Sequence, residues 1–156
     1  MVIEAKIIED KIDVNKIIEE LMEESSSLGG GALVSFIGFV KGKVNEHVVK
    51  ELIYEAYMPY ALTKLKEIVY EEARRTGIIS IKVYHRIGRI EPGEPAVYIF
   101  VTAISRRIAF DAASRVLERV KHEVPIFKLE RRDDGEYWVV GDSKRVKRVR
   151  GKGKVM

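Results

Sequence analysis

AVYIFVTAISRRIAFDAASRVLERVKHEVPIFKLE, residues 96–130, decides the fold. Its first nine residues (96–104) form an apolar run of strand length, rich in β-branched and aromatic side chains, and read as a buried strand. The period then changes. From Ser105 to about Glu123, Ile108, Ala112, Leu117 and Val120 fall on or near one helical stripe. Pro125 has no N–H and clashes with a preceding turn, so it prevents continuation of the helix. Beyond it IFKLERR, the turn DDGE and YWVV (137–140) read as a β-hairpin. Strand, helix and hairpin in succession describe helices packed on a sheet, which is an α+β class.

Working outward, residues 2–9 alternate as a strand, and DVNKIIEELMEE (13–24) is a helix with Asp13 as N-cap. SSSLGGG (25–31) reads as a flexible loop, ALVSFIGFV (32–40) as a strand interrupted by Gly38, and Lys41 to His47 as a polar turn. VVKELIYEAY (48–57) alternates and should pair with a neighbour as an antiparallel strand. Pro59 opens a second helix running to Thr76, with Gly77 at C′. IISIKVYHRIG (78–88) is a strand and EPGEP (91–95) a turn. The expected order is βαβ-β-α-ββ-α-ββ around an antiparallel sheet. No repeat or linker divides the chain, so residues 1–142 are expected to form a single domain.

Charge sets the remainder apart. From Ser143 onward there are seven basic residues and no acid, and removing those seven from the net +4 leaves the first 142 residues at −3. Residues 143–156 therefore read as a basic, flexible C-terminal tail with little to bury. Such tails are more often solvated ends than nucleic-acid readers, so nucleic acid is not the expected partner. The opening MVIEAKIIEDK lacks the basic-then-apolar pattern of a signal peptide, and no apolar run reaches the ~18 residues of a membrane span. A soluble, cytoplasmic protein is expected. Cysteine is absent, which excludes a disulfide, a thiolate nucleophile and a persulfide carrier. His47, His85 and His122 lack ligand spacing, so no metal is expected, and His85 reads as structural.

Three stretches could carry chemistry. Arg106 and Arg107 follow the N-cap residue Ser105 and oppose the positive end of the helix dipole, a conflict that a bound phosphate would resolve. Exposed arginines pointing back to solvent are the plainer reading. Lys121 falls in the last helical turn, where a cation suits the dipole. Alternation after Pro125 puts Ile126, Lys128 and Glu130 on one face and Phe127 with Leu129 on the other, the second pair being the expected core pair. Lys121 and Lys128 could then meet in one pocket, or both could be solvated. In FIGFVKGK (36–43), Gly38 permits close approach of a ligand or backbone. The glycines at 29–31 lack the context of a P-loop or a dinucleotide fingerprint.

Taken together, GALVSFIGFVKG, YEAY with MPYA, VYHRIGRIEPGE, VTAISRRIAFDA, VKHEVPIFKLE and DGEYWV, in this order across most of residues 30 to 140, resemble the large, catalytic subunit of molybdopterin synthase. The resemblance implies an α/β-hammerhead with an additional antiparallel β subdomain. It implies conversion of cyclic pyranopterin monophosphate into molybdopterin by insertion of two sulfurs as a dithiolene. It implies a small ubiquitin-like sulfur-carrier subunit bearing a C-terminal Gly-Gly thiocarboxylate, a homodimer of large subunits within a heterotetramer, and no resident cofactor. By resemblance the two essential lysines are Lys121 and Lys128, while Phe36 and Phe39 line the pocket. Lys41, Ser105 and Arg106 take the phosphate, across the dimer interface, and Glu130 lies in the substrate-lining segment. Two departures matter: Lys41 stands where the family usually has arginine, losing the bidentate fork, and Ser105 where it usually has histidine. Arg107 is placed to supply the missing cation. A sulfur-inserting chain without cysteine must take its sulfur from a partner. The alternatives are a diverged, non-catalytic scaffold of the same complex and nucleic-acid binding through the tail.

Overall fold

The computed structural model describes residues 1–141 and 144–149. The chain order is β1 (Ile3–Ile8), α1 (Val14–Ser26), β2 (Ala32–Phe39), β3 (Lys43–Val44), β4 (His47–Ala56), α2 (Tyr60–Ala73), β5 (Ile78–Arg86), β6 (Gly88–Ile90), β7 (Pro95–Ala103), α3 (Arg106–Glu123), β8 (Ile126–Arg132), β9 (Gly135–Val140) and β10 (Lys144–Lys147).

The strands make two sheets where the residue pattern alone suggested one; the second is antiparallel, in keeping with the additional β subdomain that the resemblance implied. Four strands lie in the order β1-β5-β7-β2, with β1 parallel to β5 and the other pairs antiparallel. Both faces of β5 and β7 are covered, which is why these strands read as continuous apolar runs. On one face Ile81, Val83, Ile99 and Val101 meet Leu65, Ile68 and Val69 of α2 and Ala112 and Val116 of α3. On the other, Tyr84, Tyr98 and Phe100 pack with Leu21 of α1. Burying one such side chain contributes about 1.5–3 kcal/mol, so this two-faced layer is the main source of stability.

The second sheet is antiparallel, ordered β10-β9-β8-β4-β3, with β6 also on β4. It has its own smaller core of Val40, Val49, Leu52, Tyr54, Ile90 and Ala96. Buried Arg86, at the end of β5, ties the neighbouring strand ends of the first sheet together, its Nε donating to the Glu9 carbonyl (3.0 Å) just after β1 and its Nη1 to the Pro95 carbonyl (2.8 Å) at the start of β7.

Asp13 and Ser105 cap α1 and α3 as expected, each accepting from the backbone N–H three residues on. Several expectations need correction. Helix α2 ends at Ala73, not Thr76, because the N–H groups of Arg74 and Arg75 bond three residues back and tighten the last turn out of the α-helical pattern. Gly77 follows it at φ +88°, and a Cβ there would stand 2.6 Å from Ile108 Cδ1. Helix α1 continues through Ser26, into the expected loop. Lys43–Val44, expected in a turn, pair with β4 as β3. In the stretch expected to be a flexible tail, residues 144–147 pair with β9 as β10; residues 142, 143 and 150–156 lie outside the described residues. No described helix is long and apolar enough to cross a membrane.

Candidate active site

A cavity of about 450 Å³ opens between the two sheets at the C-terminal end of α3. That size suits a small-molecule site. Phe36, Gly38 and Phe39 of β2 and Lys41 just beyond it form one wall. Leu117, Val120 and Lys121 come from the last turns of α3, Ile126, Lys128 and Glu130 from β8, Tyr54 from β4, His85 from β5 and Arg145 from β10. The strand alternation predicted at 126–130 holds: all three residues of the Ile126 face line the cavity.

The expected core face does not hold. Leu129 is buried, but Phe127 is 54% exposed, while Glu130 is only 2% exposed. The face carrying lysine and glutamate is the one turned inward, because the cavity supplies polar partners that an apolar core lacks. Glu130 accepts a two-bonded fork from Arg145, Nε to Oε1 at 3.0 Å and Nη2 to Oε2 at 3.2 Å, and has Arg132 Nη1 at 3.7 Å. A buried carboxylate requires such partners.

Lys128 stands directly across from Tyr54 in the β4–β8 ladder, its Nζ 5.9 Å from the centre of the Tyr54 ring. Burial, with the Glu130 charge adding to it, pushes the Tyr54 hydroxyl up to about 12. His85 meets the Tyr54 ring edge-on, centroids 5.5 Å apart. Burial pushes the imidazole down to about 4; a hydrogen bond with the Arg86 carbonyl acts the other way, and the Lys128 charge adds to the lowering. His85 is therefore neutral at physiological pH.

Gly38, read as admitting a ligand or another backbone, instead has two side chains against it: an added Cβ would come 2.9 Å from Val97 Cγ1 and 3.2 Å from Phe36 Cε2, in the cavity wall. Ser105, Arg106 and Arg107 are exposed at the opposite end of α3. Sixteen positions separate Ser105 from Lys121, about 24 Å along the axis. One chain thus brings Phe36, Phe39, Lys41, Lys121, Lys128 and Glu130 together, and leaves the three residues of the helix start outside.

Sequence reasoning missed Tyr54, His85 and Arg145. Tyr54 carries a signal, since alternation in β4 puts it on the face of Leu52, but nothing in the sequence reveals its register with Lys128. Arg145 is hidden in a run of basic residues whose first strand cannot be told from a solvated tail.

Fold and cavity define an α+β protein of two joined sheets with a half-apolar, cation-bearing pocket for a small molecule that carries negative charge. The MoaE protein family matches residues 7–123. The chain is 38% identical over 125 residues to the molybdopterin synthase catalytic subunit of Pyrococcus abyssi, covering 80% of this chain and 84% of that one. It is 36% identical over 121 residues to the corresponding Bacillus subtilis subunit, covering 78% and 77%. The crystal structure of molybdopterin synthase from Staphylococcus aureus superposes with a TM-score of 0.74 at 34% identity, over 85% of this chain and 94% of that one. The chain belongs to the MoaE family.

Proposed function

We propose that this chain is the catalytic subunit of a molybdopterin synthase, inserting two sulfurs into cyclic pyranopterin monophosphate as a dithiolene. The observation that carries this reading is that Lys121, from a helix end, and Lys128, from a strand, line one cavity together with Lys41. The chain has no cysteine, so the sulfur comes from outside, as the thiocarboxylate at the Gly-Gly end of a small ubiquitin-like partner.

Each transfer forms a carbon–sulfur bond to the pterin side chain, and water then releases the partner's acyl group as a carboxylate. Over two transfers the cyclic phosphate opens and one water is lost. Lys121 and Lys128 stabilise the negative charge that develops on oxygen and carry protons to and from the leaving oxygens. Lys41 attracts the phosphate. Ser105, Arg106 and Arg107 lie too far from the cavity of their own chain to help there, and act on the phosphate in the cavity of a second copy. This makes the large subunit a homodimer with one small subunit for each cavity. The cytoplasm, where the thiocarboxylate donor would be made, is the proposed location.

The described part of the basic tail favours this over nucleic-acid binding, since Arg145 is committed to Glu130 and Arg148 reaches Glu136 at 3.4 Å. The test is reconstitution with thiocarboxylated partner and cyclic pyranopterin monophosphate. Dithiolene product is expected. A complex that forms and makes no product would support the non-catalytic scaffold instead.

A further inference from the structure

Tyr54 and His85 are 6% and 8% exposed, both line the cavity, and neither has been given a role by the lysine chemistry. Their placement follows from the ladders. Tyr54 has Lys128 as its cross-strand neighbour on β8 and Gly88 on β6, and the missing side chain at Gly88 leaves that flank of the tyrosine without a competing group. The His85 ring, from the other sheet, closes edge-on against it.

The hydrogen bonding fixes what each can offer. His85 Nδ1 lies 2.8 Å from the Arg86 carbonyl oxygen. A carbonyl only accepts, so Nδ1 carries the proton and Nε2 of the neutral ring is an acceptor. The Tyr54 hydroxyl keeps its proton throughout the physiological range and is a donor. Among the described residues neither Tyr54 Oη nor His85 Nε2 has a protein partner, yet no buried side-chain nitrogen or oxygen is unsatisfied. Both atoms are therefore open to the cavity. Phenylalanine at either position would fill the wall equally well without a polar atom to satisfy.

We infer that Tyr54 and His85 form a neutral donor–acceptor pair that recognises the heterocycle of the substrate, a planar lactam whose ring edge carries both N–H donors and a carbonyl acceptor. The cations Lys41, Lys121 and Lys128 are thereby left for the anionic groups. The inference rests on the proposed function for the identity of the heterocycle.

The test measures two things on the full chain: equilibrium binding of pterin, a probe with no phosphate, and KM and kcat in the reconstituted reaction. Tyr54→Phe and His85→Phe are expected to weaken pterin binding about tenfold each and to raise KM with kcat little changed, the pattern of lost uniform binding. Binding of inorganic phosphate should not move. His85→Gln, whose amide oxygen reaches the position of Nε2, should recover most of the loss, which a merely structural role would not predict. Folded Phe variants that bind pterin as wild type does, with unchanged KM, overturn the inference while leaving the synthase reading intact. Wild-type chain that binds no pterin overturns it as well. Pterin binding that is lost in the variants, from a chain that makes no dithiolene, upholds the recognition pair and removes the synthase reading.

Discussion

Arg145 on β10 and Glu130 on β8 form a two-bonded pair that seals one wall of the cavity, with Glu130 almost wholly buried. Removing the arginine leaves a buried carboxylate with Arg132 at 3.7 Å as its remaining charged partner. Arg145→Ala is therefore expected to destabilise the fold by about 3 kcal/mol, the usual cost of breaking such a pair from one side. The double change Arg145→Met with Glu130→Gln should recover part of that loss. Urea unfolding of the three proteins measures it; an Arg145→Ala midpoint equal to wild type would show that the pair contributes nothing.

Lys121→Ala and Lys128→Ala are each expected to lower dithiolene formation by at least about 100-fold. Neither should shift the melting temperature by more than a few degrees, because Lys121 is exposed and Lys128 half-buried. Lys128→Arg keeps the charge but holds its proton above pH 12, so it separates the two roles. Product formation by the arginine variant at the wild-type rate would make Lys128 a fixed charge and no proton carrier.

Gly38→Ala places a methyl group where Val97 and Phe36 already stand, at 2.9 and 3.2 Å. Phe36 must swing into the cavity or the strand must shift at the register break between Gly38 and Phe39. A KM raised about tenfold with about 1 kcal/mol of lost stability is the expected result. Substrate titration of the variant decides it, and an unchanged KM would mean that the wall yields without cost.

His85 gives the stability a pH dependence of known sign. Its pKa is about 4 when folded, against 6.5 when unfolded, mainly through burial, with the Lys128 charge assisting. Between these values the unfolded chain binds a proton that the folded chain refuses. The contribution is thus complete above pH 6.5 and is lost as pH falls, amounting to about 3 kcal/mol at pH 4. The Tyr54 hydroxyl on the facing strand stays protonated and adds no charge over this range. The difference in unfolding free energy between wild type and His85→Gln should therefore shrink by that amount from pH 7 to 4. Parallel pH profiles would remove His85 as the source.

How much could be read beforehand varied with the physics of each part. The helices were legible because caps at Asp13 and Ser105 and the stop at Pro125 are local signals. The strands β5 and β7 were legible as long apolar runs, whereas β6, three residues long, and β10, made of Lys-Arg-Val-Lys, carry too little apolar pattern to stand out. Charged edge strands are a common guard against unwanted pairing, and sequence alone cannot separate one from a solvated tail. Within the site, alternation gave the correct grouping of Ile126, Lys128 and Glu130 but left open whether that face met a pocket or solvent, and it put Phe127 in the core, where the structure exposes it. Polarity predicts the outside of a strand only when no cavity lies on the inside. His85 was read as structural for the same reason, since its distance from the lysines is a property of two sheets meeting.

The cavity walls draw on residues from Phe36 to Arg145, across both sheets, although the two lysines stand only seven positions apart. Contacts so distant along the chain close late, because each requires the loop between its ends to be ordered first. During folding the two amines consequently share no pocket until the sheets have joined. Completion of the tertiary structure is what gathers the two amines at one cavity, and a nascent or half-folded chain carries two lysines with no site between them.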